Sequence, residues 1–228
     1  MRRIAFLIVL TALAACQSTP TLQSGAGAQI SYDGLVRVDN SRVDSAWVRP
    51  DVNFSNYDKL MLVGTGIKYR SVRELNRIYL SNLDGFPLDA EQRESLQTMV
   101  RDIFTRGIAE SDRFAIVPEP GPETLTVTGS LIDVVSFVPP RQGQVDQIRS
   151  IVARLGEATL VLELSDSVSG QVLARATDKR IIESDRGDIL ISETITRFAL
   201  ESELNRWAGL IRNGLETLAD TPLLPAEE

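Results

Sequence analysis

Cys16 is the single cysteine of the chain, and histidine is absent altogether. The two facts narrow the chemistry. A disulfide needs a second cysteine, and a zinc site needs several Cys or His ligands. Without histidine, the commonest general base near neutral pH is missing. Serines are plentiful, but no G-x-S-x-G elbow exists. Gly64-Thr65-Gly66 follows an apolar run, yet the third glycine and the immediate helix of a dinucleotide loop are lacking. It reads as a flexible strand end. The acids Glu183, Asp185 and Asp188 surround Arg186 without the spacing of a calcium loop. They read as a solvated loop. No cofactor and no metal are therefore expected. Two carboxylates across a cleft would make the alternative, an envelope glycan hydrolase, but sequence does not give their separation.

Two stretches mix arginine with aromatics, a composition common in binding sites. One holds Tyr69, Arg70, Arg73, Arg77, Tyr79 and Phe86; the other holds Arg141, Arg149 and Arg154. The plainer reading tucks the aromatics into the domain edge and sets the arginines against nearby acids. As a binding surface, the candidates are Tyr69, Arg70, Arg73, Arg141 and Arg149.

The neighbourhood of Cys16 gives it a different task. Met1-Arg2-Arg3 is a positive start, and Ile4 to Ala15 is an apolar run ending in small residues. A spanning helix needs about 20 apolar residues, so the run is short and has the layout of a secretory signal. Leu13-Ala14-Ala15-Cys16 resembles the bacterial lipobox, which implies cleavage between Ala15 and Cys16 and acylation of Cys16. Several acyl chains on one residue hold firmly where one holds marginally. Gln17 in the next position resembles the sorting pattern for the outer membrane. The expected contacts are the membrane, through lipid on Cys16, and an envelope protein. Nucleic acid is excluded as a partner by the net charge of −7, because it calls for a basic patch.

The elements that must position these residues follow from the pattern. Apolar residues make up 43%, enough for a packed core. Residues 1–15 are read as signal, 16–30 as lipidated cysteine and flexible tether, 31–220 as a single domain and 221–228 as a disordered tail. The stretch 31–57 looks irregular, pinned by Trp47, Phe54 and Tyr57. Strands are expected over 59–63, 114–117, 125–138 (kinked at Gly129), 158–164 and 172–182. The last two form a hairpin around Gly170. One helix begins at Asp89, with Gln92 completing a capping box, and carries a stripe from Leu96 to Ile108. A second spans 192–219, with Leu204, Trp207, Ala208, Ile211 and Leu215 on one face. Residues 139–156 read as a loop. The expected fold is α+β: a mostly antiparallel sheet with both helices on one face. The strand–helix–strand order at 59–117 suits a crossover unit.

The hairpin also carries a family likeness. Gly156 to Arg180 resembles the E-x-x-D-x-x-T-G-x-x-L-A-x-x-x-D-x-R hairpin of bacterial lipoproteins of the domain-of-unknown-function 3313 family. Glu163, Asp166, Gly170, Leu173, Ala174, Asp178 and Arg180 match, and Ser169 stands in the threonine position. Tyr32–Leu35, the run from Ala46 to Val63 and the run from Leu88 to Leu96 resemble the family's opening. The resemblance implies no activity. Asp166 and Gly170 read as turn chemistry. Asp178 and Arg180 lie two apart on one strand face, placed to pair with neighbours.

Overall fold

The computed structural model describes residues 19–72, 85–138, 154–183, 193–221 and 224–225. Among them, eight strands form one sheet: β1 (Thr21–Leu22), β2 (Val36–Asp39), β3 (Ser45–Val48), β4 (Lys59–Tyr69), β5 (Ala115–Ile116), β6 (Thr124–Ser136), β7 (Arg154–Asp166) and β8 (Val172–Glu183). Their spatial order is β1-β2-β3-β8-β7-β6-β4-β5. β4 runs parallel to both β5 and β6, and the remaining neighbours are antiparallel. Two helices, α1 (Ala90–Ala109) and α2 (Glu193–Asp220), pack on one face. The expected α+β architecture is the one observed.

The core follows from strand alternation. Leu125, Val127 and Leu131 of β6 pair with Asp166, Leu164 and Leu160 of β7, and Leu60 of β4 lies opposite Leu125. These leucines and valines meet Leu96, Ile103 and Ile108 of α1 and Leu204, Trp207, Ile211 and Leu215 of α2. α1 starts where the sequence says. Asp89 accepts from the Gln92 amide at 2.9 Å, and the Gln92 side chain accepts from the Asp89 amide at 3.0 Å. The two helices approach closely at Gly107, where an added Cβ would stand 2.7 Å from the Cβ of Ala208.

Several expectations need correction. The tether expected over 16–30 does not stay free past Pro20: Thr21–Leu22 pairs with β2, Leu22 is buried, and the Gln23 side chain donates to Asp39 at 2.9 Å. The stretch 31–57 is not irregular, since β2 and β3 extend the sheet from β8. The tail is not wholly loose. Leu224 packs on the core, and the Leu22 amide donates to the Pro225 carbonyl at 2.9 Å. Finally, β4 runs six residues past Val63 to Tyr69, so Gly64-Thr65-Gly66 lies inside a strand. The bulge there belongs to β4, with Thr65 as the extra residue opposite Gly129 and Ser130. In β6 the register slips at Asp133 instead of Gly129.

Candidate functional site

One end of the sheet gathers the unusual side chains. β4 ends there at Tyr69, β6 at Ser136 and β8 at Glu183, while β7 begins there at Arg154. The described residues that flank 73–84, 139–153 and 184–192 meet at this end. The Phe86 amide donates to the Ser136 carbonyl at 2.6 Å, and the Phe137 amide to Leu155 at 3.0 Å. Leu155, Ile182 and Ala199 form a small second core with Val138 and Leu200. Gly85, at φ 88°, fits because it has no side chain: a Cβ would stand 2.4 Å from Val135.

Arg70 is the centre of this end. Its amide continues the ladder by donating to Val134 at 2.9 Å. Its guanidinium takes Asp133 with both arms, Nε to Oδ1 at 2.7 Å and Nη2 to Oδ2, and Nη2 also reaches Glu157. Asp133 adopts φ 55° at the β6 irregularity. An aspartate tolerates this left-handed backbone better than most residues. Glu157 on β7 is 5% exposed and also receives Lys179 Nζ at 2.7 Å, with Arg154 Nη2 at 3.6 Å. Arg154 in turn lies over the Phe137 ring at 5.5 Å.

The electrostatics follow from the pairing. Arg70 holds Asp133 below the ordinary carboxylate value, against the opposing effect of burial. Burial pushes Glu157 up, but hydrogen bonds from Lys179 and Arg70 outweigh it and leave it lowered. Both carboxyls are therefore anionic at neutral pH, as ion pairing requires and unlike a proton donor. Tyr69 beside them points into the core. Burial raises its pKa, Arg93 sits over its ring at 4.7 Å, and its buried hydroxyl has no partner among the described residues.

The helix-free face carries a second constellation. Arg37, Trp47, Arg175, Glu163, Thr128 and Val63 lie in register across six strands. Arg175 bridges Asp33 at 2.9 Å and Glu163 at 3.0 Å, and it lies 5.9 Å from the ring centre of Tyr32, which is 94% exposed. Arg37 lies over Trp47 at 5.6 Å.

Of the residues singled out in the sequence, the structure brings Tyr69, Arg70, Phe86 and Arg154 to one end of the sheet. Ala15, Cys16, Arg73, Arg77, Tyr79, Arg141, Arg149, Asp185 and Asp188 lie outside the described residues. The sequence reading missed Asp133, Glu157, Lys179 and Arg175 as members of these clusters. Period-two spacing was their signal: Glu157 and Thr159 share one face of β7, and Arg175, Thr177 and Lys179 share one face of β8. Asp178 and Arg180 do pair, with Arg180 Nε 2.6 Å from Asp178 Oδ2. Asp166 is turn chemistry, accepting from the amides of Val168 and Ser169 at 3.2 and 2.7 Å.

Residues 23–188 match the family model described as protein of unknown function DUF3313. A comparison with curated proteins finds no match. Similar solved structures include the protein XCC0632 from Xanthomonas campestris, at 12% identity over 75% of this chain and 90% of that one, TM-score 0.43. A PelC dodecamer from Paraburkholderia phytofirmans matches at 12% identity over 68% and 89%, TM-score 0.32. A putative neuraminyllactose-binding hemagglutinin homolog from Helicobacter pylori matches at 11% identity over 75% and 97%, TM-score 0.37. No function is carried over from similarities this distant.

Proposed function

We propose that this chain, which belongs to the DUF3313 family of proteins of unknown function, is a lipid-anchored bacterial envelope protein whose domain binds an envelope protein rather than catalysing a reaction. One observation carries the reading: Leu13-Ala14-Ala15-Cys16 closes a charged-then-apolar leader, only a few residues before the folded domain. The ion pairs support the non-catalytic part. Asp133 and Glu157 are engaged by Arg70 and Lys179, and Asp178 by Arg180 and Trp207. Such networks stiffen a recognition platform. Gln17 favours the outer membrane, with the domain in the periplasm.

Mass spectrometry of the mature protein from membranes tests the anchor. The expected result is an acylated amino-terminal Cys16, and Cys16→Ser should release the protein to the soluble fraction. An unmodified Cys16 in membrane-bound protein sinks the reading. For the binding role, a photo-crosslinker at exposed Ser71 should trap one recurring envelope protein in cells. Repeated labelling without a discrete product argues against a dedicated partner.

A further inference from the structure

We infer that residues 21–28 form a strap latched by the C-terminal tail, and that its release lengthens the tether between Cys16 and the domain from four residues to twelve. The tether rests on the acylation of Cys16 proposed above; the latch does not.

The strap is held at one buried point. Across residues 19–28, Leu22 alone is buried, at 6% exposed. β1 itself has two residues. Beyond it, the Gln23 amide donates to the Arg37 carbonyl at 3.0 Å and the Gln23 side chain to Asp39 at 2.9 Å. Residues 24–27 are exposed, and a Cβ at Gly25 or Gly27 would meet no atom within 4 Å. A two-residue edge strand with one buried side chain belongs to the least stable part of a fold.

The chain after the strap is fastened more firmly. The Gln29 carbonyl accepts from the Arg37 amide at 3.1 Å, and Ile30 bridges to Val36. Asp33 holds Arg175 at 2.9 Å, and Leu35 is 0% exposed. Opening therefore stops at Gln29 and leaves β2 and β3 in the sheet.

The tail closes the strap. Successive backbone amides of a strand point to opposite sides, and that of Gln23 points to β2. The Leu22 amide therefore points away from β2, where it donates to the Pro225 carbonyl at 2.9 Å. Leu224 packs on the core to which Leu22 belongs. Proline brings an acceptor and no amide donor, which suits the outer edge of a sheet. The two ends thus lock each other. A ligand that captures the free tail favours the open strap, and by linkage the open strap favours capture.

The consequence is a change of reach. With the strap closed, residues 17–20 hold Cys16 within roughly 18 Å of Thr21, at about 3.6 Å per residue. With it open, residues 17–28 let the domain stand up to about 47 Å away, measured from Gln29.

Hydrogen exchange on the mature protein purified from membranes tests the latch. A chain ending at Thr221 should exchange the Leu22 and Gln23 amides at least tenfold faster than the full chain, with β2 and β3 unchanged. Leu22→Ser should loosen the Gln23 amide in the same way with the tail in place. Unchanged exchange in the shortened chain overturns the latch. Loss of protection in β2 and β3 together with β1 overturns the strap as a separate unit. Pulsed electron paramagnetic resonance reads the movement, with nitroxides at the exposed positions Thr19→Cys and Val168→Cys. The distance distribution should at least double in width when the tail is removed, and equal widths overturn the opening. Mass spectrometry reads the premise separately: an unmodified Cys16 overturns the tether, whatever the exchange shows of the latch.

Discussion

The indole Nε1 of Trp207 donates to Oδ2 of Asp178 at 2.7 Å, and both residues are 2% exposed. This bond fastens α2 to β8 through the apolar core. Asp178 is satisfied there by Arg180 Nε at 2.6 Å and the Asp44 amide at 3.2 Å as well. A buried carboxylate persists only when its lone pairs are met.

Removing one partner should be costly. Asp178→Leu strands the Trp207 indole and the Arg180 guanidinium, at about 3–5 kcal/mol. Trp207→Phe loses one charge-assisted bond, at about 1.5–3 kcal/mol plus a packing loss. Urea unfolding of both variants and of the double variant gives a cycle. A coupling of at least about 0.5 kcal/mol is expected; strict additivity would mean that the two residues act independently.

Glu157 should make stability depend on acid. Its folded pKa lies below the ordinary value of 4.5. The stabilisation is therefore present above that value and is lost as pH falls through the folded pKa. At neutral pH, Glu157→Gln should cost about 1–3 kcal/mol. Denaturation across pH should show the gap between the two proteins closing below about pH 4.5. A gap that widens in acid would contradict the ion-pair account.

Tyr57 should respond at the alkaline end. Its hydroxyl donates to Asp166 at 3.1 Å, and burial together with that negative charge pushes its pKa to about 12. A raised folded pKa gives stability that is complete below the unfolded value near 10 and lost as pH rises towards 12. Besides Tyr69, whose pKa burial also raises, ultraviolet titration of the folded protein should show a late phase from Tyr57. Tyr57→Phe should remove that phase and part of the alkaline loss of stability. Asp166→Asn should bring the phase only partway down, since burial is the larger cause.

Gly107 sets the spacing of the helices. Gly107→Ala gains helix propensity, yet its new Cβ would stand 2.7 Å from Ala208. Overpacking should prevail, at about 1–3 kcal/mol, and lower the melting temperature. Ala208→Gly in the same chain should recover most of the loss. A Gly107→Ala protein that melts higher would show that the helices slide apart freely.

Much of the fold was legible because its signals are local. The capping box at Asp89 and the long stripe of α2 each lie within one element, and Asp166 with Gly170 lies within one turn. β2 and β3 were missed because four residues each give too little alternation, although Val36-Arg37-Val38-Asp39 followed by Asn40 (φ 57°) is a brief strand-and-turn signal. The length of β4 was hidden by its two glycines, which read as a break and proved to flank a bulge. The site was harder. Arg70 finds Glu157 across 87 positions of sequence. Strand order decides such a meeting, and residue pattern does not encode strand order.

The bond between the Leu22 amide and the Pro225 carbonyl makes the described chain nearly a closed ring. Covalent continuity is then replaceable: the ends could be joined there, and the chain reopened at the exposed turn around Val168, while the strand pairings stay as they are. The fold is set by which strands lie side by side, and the point where its backbone happens to be interrupted is a separate choice.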